Sequence, residues 1–251
     1  MKNLSIIITS IFILISFNSC KKGNGILITE EKNVSSFEKI EVSSSAKVNY
    51  HTSPETRVIV TVDENLLKYV KVHVKNNTLH ITTKSGGGYI FSEYTVDVYS
   101  SDLTEVSISG SGKFDGGDKI FATNFEISIS GSGKFNGTLE CDKFSTNISG
   151  SGKINGNVEC SVFTSKISGS GEVTLYGNTN NLDLKISGSG DFMGSNFITN
   201  NADIKVSGSG NVHTWAENYL KVHVSGSGSI YYRGNPKIDF SGGGSGKLIS
   251  E

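Results

Sequence analysis

Ile167-Ser168-Gly169-Ser170-Gly171 is one copy of a five-residue pattern that decides the fold. Seven strict copies of Ser-Gly-Ser-Gly recur at steps of 18 to 21 residues, and a degenerate copy over residues 243–246 comes last. A fixed period near 19 residues predicts a solenoid in which each repeat forms one coil. The strict copies begin at Ser109, Ser130, Ser149, Ser168, Ser187, Ser207 and Ser225.

Apolar residues hold fixed positions around each copy of the motif. A β-branched residue stands immediately before the first serine, and further apolar residues precede it at spacings of two. This spacing places side chains on one face of a strand, so each coil is predicted to turn that face inward. Stacking joins the faces into ladders, where burial of each isoleucine contributes about 1.5–3 kcal/mol. The residues before the serine are Ile108, Ile129, Ile148, Ile167, Ile186, Val206 and Val224.

The glycines of the motif are predicted to mark the same corner of each coil. Glycine there permits positive φ or a close approach of stacked backbones, and serine can hydrogen-bond the local backbone or the next coil. A flexible Ser-Gly linker would explain an isolated copy, but it does not explain the aligned apolar columns. The predicted corner glycines are Gly110, Gly112, Gly131, Gly133, Gly150, Gly152, Gly169, Gly171, Gly188, Gly190, Gly208, Gly210, Gly226 and Gly228.

The half of the chain before the repeat also has the pattern of an all-β protein. Residues 26–105 contain short runs that alternate apolar and polar residues, separated by turn signals such as Ser53-Pro54 and Asn76-Asn77. We therefore predict an N-terminal β-sheet or sandwich-like region over residues 26–105, leading into a C-terminal parallel β-helix over residues 106–251. Residues 26–251 are expected to form one continuous domain.

The first 19 residues are predicted to be a signal peptide. An apolar run over residues 4–17 follows Lys2 and is too short for a comfortable membrane span. Cys20 follows a small residue and resembles the cysteine of a bacterial lipobox, although Phe17 stands where leucine is usual. We expect Cys20 to be acylated, with residues 20–25 forming a short lipidated tether. An ordinary secretory signal and an uncleaved anchor are the alternatives.

Composition and charge narrow the range of partners. The formal net charge is -1, so the overall charge does not favour binding to nucleic acid. Thirty glycines beside two prolines exclude a collagen-like or proline-rich stalk. The anchor predicts a location in the cell envelope, with the protein attached to either leaflet of the outer membrane. The membrane is then one expected partner, and an envelope glycan or protein is another.

Several short stretches carry a resemblance to a known family. These are residues 37–42 (FEKIEV), 46–48 (AKV), 63–67 (DENLL) and 77–81 (NTLHI), together with the Ile-Ser-Gly-Ser-Gly series. They resemble the bacterial family described as "putative auto-transporter adhesin, head GIN domain". The resemblance covers most of the chain after Cys20 and implies a β-sheet region followed by a parallel β-helix on a lipoprotein. It brings no catalytic residues with it.

The sequence gives little support for catalysis. Enzymes built on β-helices need clustered carboxylates, or a carboxylate beside a base, on one face. Only Glu140 and Glu159 are expected to share a column in adjacent coils; each precedes a cysteine, and no His or Arg falls in that column. The five histidines lack metal-ligand spacing. We therefore predict a protein that is not an enzyme and that has no cofactor and no metal.

Cys141 and Cys160 are separated by one coil. Their 19-residue spacing predicts adjacent rungs about 4.8 Å apart, inside the usual Cα range of a disulfide. An oxidising envelope permits a bridge, and two buried thiols are equally compatible with the spacing.

Two outward-facing sets of residues are candidates for a binding surface. Lys166, Lys185 and Lys205 share one column, which serves solubility or forms a basic stripe for anionic glycans or lipid head groups. Aromatic residues gather in the last coils, where they form a sugar-stacking platform or, as we favour, a cap over the open end. These are Trp215, Tyr219, Tyr231 and Tyr232.

The anchor, the solenoid and the missing catalytic cluster together predict a non-catalytic envelope lipoprotein, adhesin-like or ligand-binding. One alternative is a carbohydrate-active β-helix enzyme, which a groove with two or more carboxylates near Trp215 would support. A second alternative is a partner-binding module in envelope signalling.

Overall fold

The computed structural model describes residues 20–251, so the predicted signal peptide over residues 1–19 lies outside the described residues. Within them, the regular structure consists of nineteen strands and one 3₁₀ turn, Leu67–Tyr69. The strands are β1 (Lys21–Lys22), β2 (Leu27–Lys32), β3 (Lys39–Ser43), β4 (Lys47–Thr52), β5 (Arg57–Asp63), β6 (Val70–Lys75), β7 (Thr78–Thr83), β8 (Tyr89–Ile90), β9 (Tyr94–Ser100), β10 (Glu105–Gly110), β11 (Lys113–Gly131), β12 (Lys134–Gly150), β13 (Lys153–Gly169), β14 (Glu172–Gly188), β15 (Asp191–Gly208), β16 (Val212–Gly226), β17 (Ser229–Arg233), β18 (Lys237–Gly242) and β19 (Lys247–Ser250).

The repeat forms the parallel β-solenoid that its period predicts. Each of the long strands β11 to β16 makes one coil and pairs in parallel with the coil before and after it. The isoleucine column stays in register, since Ile148 pairs with Ile129 on one side and with Ile167 on the other. The fold class is therefore confirmed, with about eight turns of 19-residue coils over residues 105–250.

Backbone hydrogen bonds stack the Ser-Gly-Ser-Gly corners directly on one another. The N–H of Ser170 donates to the carbonyl oxygen of Gly150 at 2.8 Å, and the N–H of Ser189 donates to that of Gly169 at the same distance. Gly169 has a φ of +116°, which side chains disfavour. The motif is thus a corner built by the backbone.

The interior of the solenoid is filled by ladders of apolar side chains. Phe114 and Phe135 stack with ring centroids 5.0 Å apart, and Phe144 stacks on Phe163 at 4.9 Å. All four rings are at most 1% exposed. Because each coil is too short to enclose its own core, these contacts between coils supply the packing.

One buried polar pair interrupts the apolar ladders. Thr146 and Ser165 are 3% and 0% exposed, and the Thr146 hydroxyl donates to Ser165 Oγ at 2.8 Å. Ser165→Ala leaves the threonine hydroxyl buried without its partner, and we expect a loss of about 2 kcal/mol of unfolding free energy. The double variant Thr146→Val, Ser165→Ala removes both polar groups and should recover most of that loss. Urea unfolding of the wild type and the two variants measures these free energies. A double variant less stable than Ser165→Ala would contradict the prediction.

The strands before the repeat add to the same sheets. β3 and β4 pair in parallel with β10 and β11, and β7 and β9 pair in parallel with β3 and β4. The antiparallel strands β5 and β6 then lie against β9 and β7, with β2 outside β5. The predicted N-terminal β region therefore continues the layers of the solenoid and closes its first end.

The last coils do not have the cap that we favoured. β18 pairs in parallel with β16, yet Ile238 and Phe240 on it are 40% and 44% exposed. The predicted aromatic residues do not cover this end. Strand alternation turns Tyr231 outward, where its ring stacks on the ring of His213 with centroids 4.6 Å apart. Only Tyr232 packs against the core.

Candidate functional site

The predicted lysine ladder, Lys166, Lys185 and Lys205, lies in one exposed column of the solenoid flank. A column of carboxylates runs beside it. Lys185 Nζ lies 3.5 Å from Asp183 Oδ2, and Lys205 Nζ lies 3.3 Å from Asp203 Oδ1. Because opposite charges alternate, the repulsion expected along a bare lysine ladder is largely offset.

Asp183 and Asp203 correct one prediction. We expected only Glu140 and Glu159 to share a column, but Asp183 pairs in register with Asp203 on the next coil. Two other acidic pairs also lie in register, Glu172 with Asp191 and Glu105 with Glu126. The step between these two coils is 20 residues rather than 19, since β15 contains an irregularity opposite Thr174 and Tyr176. The same 20-residue step aligns Lys185 with Lys205, so the motif spacing could have revealed this pair.

A cleft of about 220 Å³ opens on this flank, between two outward columns of side chains. We call it the Asn–Asp cleft. Its polar wall includes a ladder of two amides, in which Asn201 Nδ2 donates to Asn181 Oδ1 at 3.2 Å. The cleft is lined by Val162, Asn181, Leu182, Asp183, Asn201, Ala202, Asp203, Tyr219 and Lys221.

The chemistry of the Asn–Asp cleft combines an apolar floor with hydrogen-bonding walls. The Asp183 side chain is 45% exposed, so its carboxylate can accept a hydrogen bond from a ligand, although Oδ1 itself is buried and has no partner among the described residues. At the other side of the cleft, the Tyr219 hydroxyl donates to Asp239 Oδ2 at 3.3 Å. Amides, carboxylates and an aromatic ring beside apolar side chains suit a ligand with hydroxyl groups and small apolar faces.

Sequence reasoning missed most of this cleft. It selected Tyr219 and the adjacent lysines but not Asn181 or Asn201. The signal was present in the sequence, because these asparagines stand four residues before Lys185 and Lys205, on the same outward face of the strand.

Glu140 and Glu159 do share a column, as predicted. Lys119 from the preceding coil binds both, with its Nζ 2.5 Å from Glu140 and 3.8 Å from Glu159. The hydrogen bond with Glu140 holds the pKa of Lys119 above its usual range. A single lysine that contacts both carboxylates fits a surface ion-pair network.

Cys141 and Cys160 pair in register on adjacent coils, and both are free thiols in the structure. Burial raises the pKa of Cys141 to about 12, and burial also raises that of Cys160. The Cys160 thiol donates to Thr179 Oγ1 at 3.4 Å. Raised pKa values disfavour the reactive thiolate. The bridge that the spacing allows stays a prediction.

The structure separates the four aromatic residues of the last coils. Tyr219 lines the cleft, whereas Trp215 lies earlier on β16 and Tyr231 lies on β17. Trp215 Nε1 donates to Glu217 Oε1 at 2.6 Å, and His213 Nδ1 lies 2.9 Å from Glu251 Oε1. The four residues therefore do not form one stacking platform.

The segment after Cys20, expected to be a flexible tether, is docked on the domain. β1 pairs in parallel with β8, and the N–H of Gly23 donates to the carbonyl oxygen of Ile90 at 2.8 Å. The fully buried Asp63 accepts a hydrogen bond from the N–H of Gly25 at 2.9 Å. Cys20 itself is exposed.

Asp63 is the residue that ties this segment to the domain, and its charge should make the connection sensitive to acid. The hydroxyl and the N–H of Ser92 also donate to its carboxylate, and the hydroxyl bond is the main cause of a lowered pKa. A lowered folded pKa stabilises the fold above the ordinary value of 3.8, and this stabilisation is lost as the pH falls towards the folded value.

We therefore expect the stability advantage of the wild type over Asp63→Asn to be constant from neutral pH down to about pH 5 and to shrink below about pH 4. Urea unfolding across that range measures it. An advantage that grows in acid would contradict the assignment.

Two structural findings concern other classes of function. Across the described chain, no cluster of three or more His, Cys, Asp or Glu side chains is arranged to hold a metal ion. Within residues 20–251, no helix has the length and apolar character needed to cross a membrane.

A family model described as "Putative auto-transporter adhesin, head GIN domain" matches residues 36–157 and 136–236. Together the two matches cover most of the solenoid and the strands that precede it. A search among curated proteins found no match.

Solved structures with the same fold include three from Parabacteroides species. A "putative lipid binding protein" from Parabacteroides distasonis is 28% identical, with a TM-score of 0.88 over 92% of this chain and 98% of its own. A "putative adhesin" from the same species is 29% identical, with a TM-score of 0.88 over 92% and 99%. A "putative adhesin" from Parabacteroides merdae is 26% identical, with a TM-score of 0.87 over 92% and 98%.

Proposed function

The chain belongs to the family described as "Putative auto-transporter adhesin, head GIN domain", and from that membership we propose a non-catalytic binding protein of the cell envelope. In this proposal, residues 1–19 are a signal peptide and acylated Cys20 is the anchor. The solenoid over residues 106–251 presents the Asn–Asp cleft to a glycan.

The anchor is supported by the sequence around Cys20 and by its place in the fold. The cysteine follows an apolar run and a small residue, and its side chain is exposed. Acyl chains on it would hold the protein firmly, since each buried CH₂ contributes about 0.8 kcal/mol. The description of one similar structure as lipid-binding fits a protein that works at a membrane.

The single observation that carries glycan binding is the make-up of the Asn–Asp cleft. Asn181 and Asn201 can donate and accept hydrogen bonds, and the half-exposed carboxylate of Asp183 can accept them from sugar hydroxyls. Tyr219 stands where a sugar ring can stack. Repetition of the coil makes these groups rigid, which lowers the entropic cost of binding.

One observation keeps a carbohydrate-active enzyme as the second candidate. Asp183 and Asp203 are two carboxylates on adjacent coils within the same cleft. Glycosidases use such pairs, with one carboxyl group as acid and the other as nucleophile or base. Each carboxylate is already ion-paired with a lysine, Asp183 with Lys185 and Asp203 with Lys205, which favours a charge-pairing role for the two groups.

A panel of envelope and host oligosaccharides separates the two functions. The purified protein is applied to the immobilised panel, and each oligosaccharide that binds is then incubated with the protein and examined by mass spectrometry. We expect binding with every oligosaccharide recovered intact. Cleaved products would establish the enzyme, and absence of binding to all members would contradict glycan recognition.

A further inference from the structure

The docked N-terminal segment brings Cys20 against the loop that precedes β8. The N–H of Lys21 donates to the carbonyl oxygen of Gly88 at 2.9 Å. Cys20 is so close to Gly88 that a Cβ on the glycine would lie 2.9 Å from the cysteine Sγ. An anchor attached at Cys20 would therefore leave no free tether between the membrane and the domain.

Basic and aromatic side chains surround this attachment point. The Nζ atoms of Lys21, Lys68 and Lys84 lie 4.9, 5.3 and 5.8 Å from the ring centroid of Tyr69. Lys21 also lies 5.9 Å from the ring of Tyr89, which is 5.1 Å from that of Tyr69. Three lysines from three segments thus converge on a pair of tyrosines, next to an exposed Lys22.

Exposed aliphatic side chains stand in the same segments. Ile90 on β8 is 53% exposed, and Ile26 and Leu27 at the start of β2 are 58% and 45% exposed. Ile90 accepts a backbone hydrogen bond from the N–H of Gly23 in the docked segment, and Ile26 directly follows that segment in the chain. Large aliphatic residues, tyrosines and lysines in one region are typical of the boundary between water and a bilayer.

We propose that the β1–β8 ribbon, with Lys21 and Tyr89 on one face and Lys22 and Ile90 on the other, forms together with Lys68 and Lys84 an anchor surface that lies directly on an anionic lipid bilayer. The inference rests on the proposed acylation of Cys20, which fixes the bilayer next to this surface. The lysines meet lipid phosphates, each contributing about 1 kcal/mol near a charged membrane. The tyrosines and Ile90 enter the head-group layer. The solenoid then points away from the membrane and presents the Asn–Asp cleft to the surroundings.

The test uses the acylated protein, purified from the envelope and reconstituted in vesicles of phosphatidylethanolamine and phosphatidylglycerol with brominated acyl chains. Trp215→Phe removes the native tryptophan, and Ile90→Trp then places a reporter on the anchor surface. Phe121→Trp is the matched control, since Phe121 is 63% exposed on the solenoid itself. Ile26→Trp, at an exposed residue directly after the docked segment, is a second reporter next to the anchor surface, should Ile90→Trp fail to fold.

Bromine quenches tryptophan only on contact with the lipid. We expect Ile90→Trp to lose most of its fluorescence in brominated vesicles and Phe121→Trp to keep nearly all of it. If the protein floats with the vesicles but is quenched equally at both positions, or at neither, the anchor surface is wrong. Flotation in that case still supports the acyl anchor at Cys20. A protein that does not float with the vesicles contradicts the proposed anchor, and the anchor surface falls with it.

Discussion

Gly169→Ala should destabilise the solenoid by about 3 kcal/mol, combining the costs of a left-handed alanine and of overpacking. Gly169 has a φ of +116°, a conformation that alanine adopts only with strain. A Cβ there would also lie 2.6 Å from the carbonyl oxygen of Gly150 in the coil below. The second cost exists only because the corners are stacked.

Two other glycines separate these costs. Gly110 has a φ of +111°, but the nearest atom to a Cβ there is 3.8 Å away, so Gly110→Ala should show the strain alone. Gly243 has no atom within 4 Å and no positive φ, so Gly243→Ala should be close to neutral. Urea unfolding of the three variants measures the series. Equal midpoints for Gly169→Ala and Gly243→Ala would show that the corner does not stack as described.

Cys20→Ser should abolish acylation completely, because only a thiol at this position can carry the thioether-linked lipid of a bacterial lipoprotein. The intact mass of envelope-extracted protein measures the outcome. Wild type should begin at Cys20 and carry the mass of its acyl groups, whereas Cys20→Ser should lack that mass.

Cys141→Ser is the matched control, since Cys141 is buried inside the solenoid. Its acyl mass should equal that of the wild type. An unacylated wild-type chain that retains residues 1–19 would instead favour an uncleaved anchor, and acyl mass on Cys20→Ser would place the lipid elsewhere.

The sequence was most informative where one local rule repeats. The 19-residue period, the isoleucine column and the glycine corners predicted the solenoid, because stacked coils impose the same constraint on each copy. The outward lysine column, Lys166 to Lys205, followed from the same period. The N-terminal strands were recognisable by alternation, but their pairing with β10 and β11 involves contacts distant in sequence that alternation does not specify.

The rest depended on long-range contacts. The 20-residue step that aligns Lys185 with Lys205 also aligns Asp183 with Asp203, but register alone does not show that a cleft opens beside them. The docking of residues 21–25 depends on Asp63, which is 38 residues from Gly25 in the chain. The cleft likewise joins side chains from four coils, each of which taken alone has the composition of an ordinary solvated strand.

The affinity of Tyr219→Ala for an oligosaccharide that the wild type binds is the most direct test of the Asn–Asp cleft as the binding site. Tyr231→Ala is the control, because Tyr231 is an outward-facing aromatic on a different strand, stacked on His213. Titration calorimetry should show at least about a tenfold loss for Tyr219→Ala, equal to about 1.4 kcal/mol, and little change for Tyr231→Ala. Unchanged affinity in Tyr219→Ala, or an equal loss in both variants, would contradict recognition in the cleft.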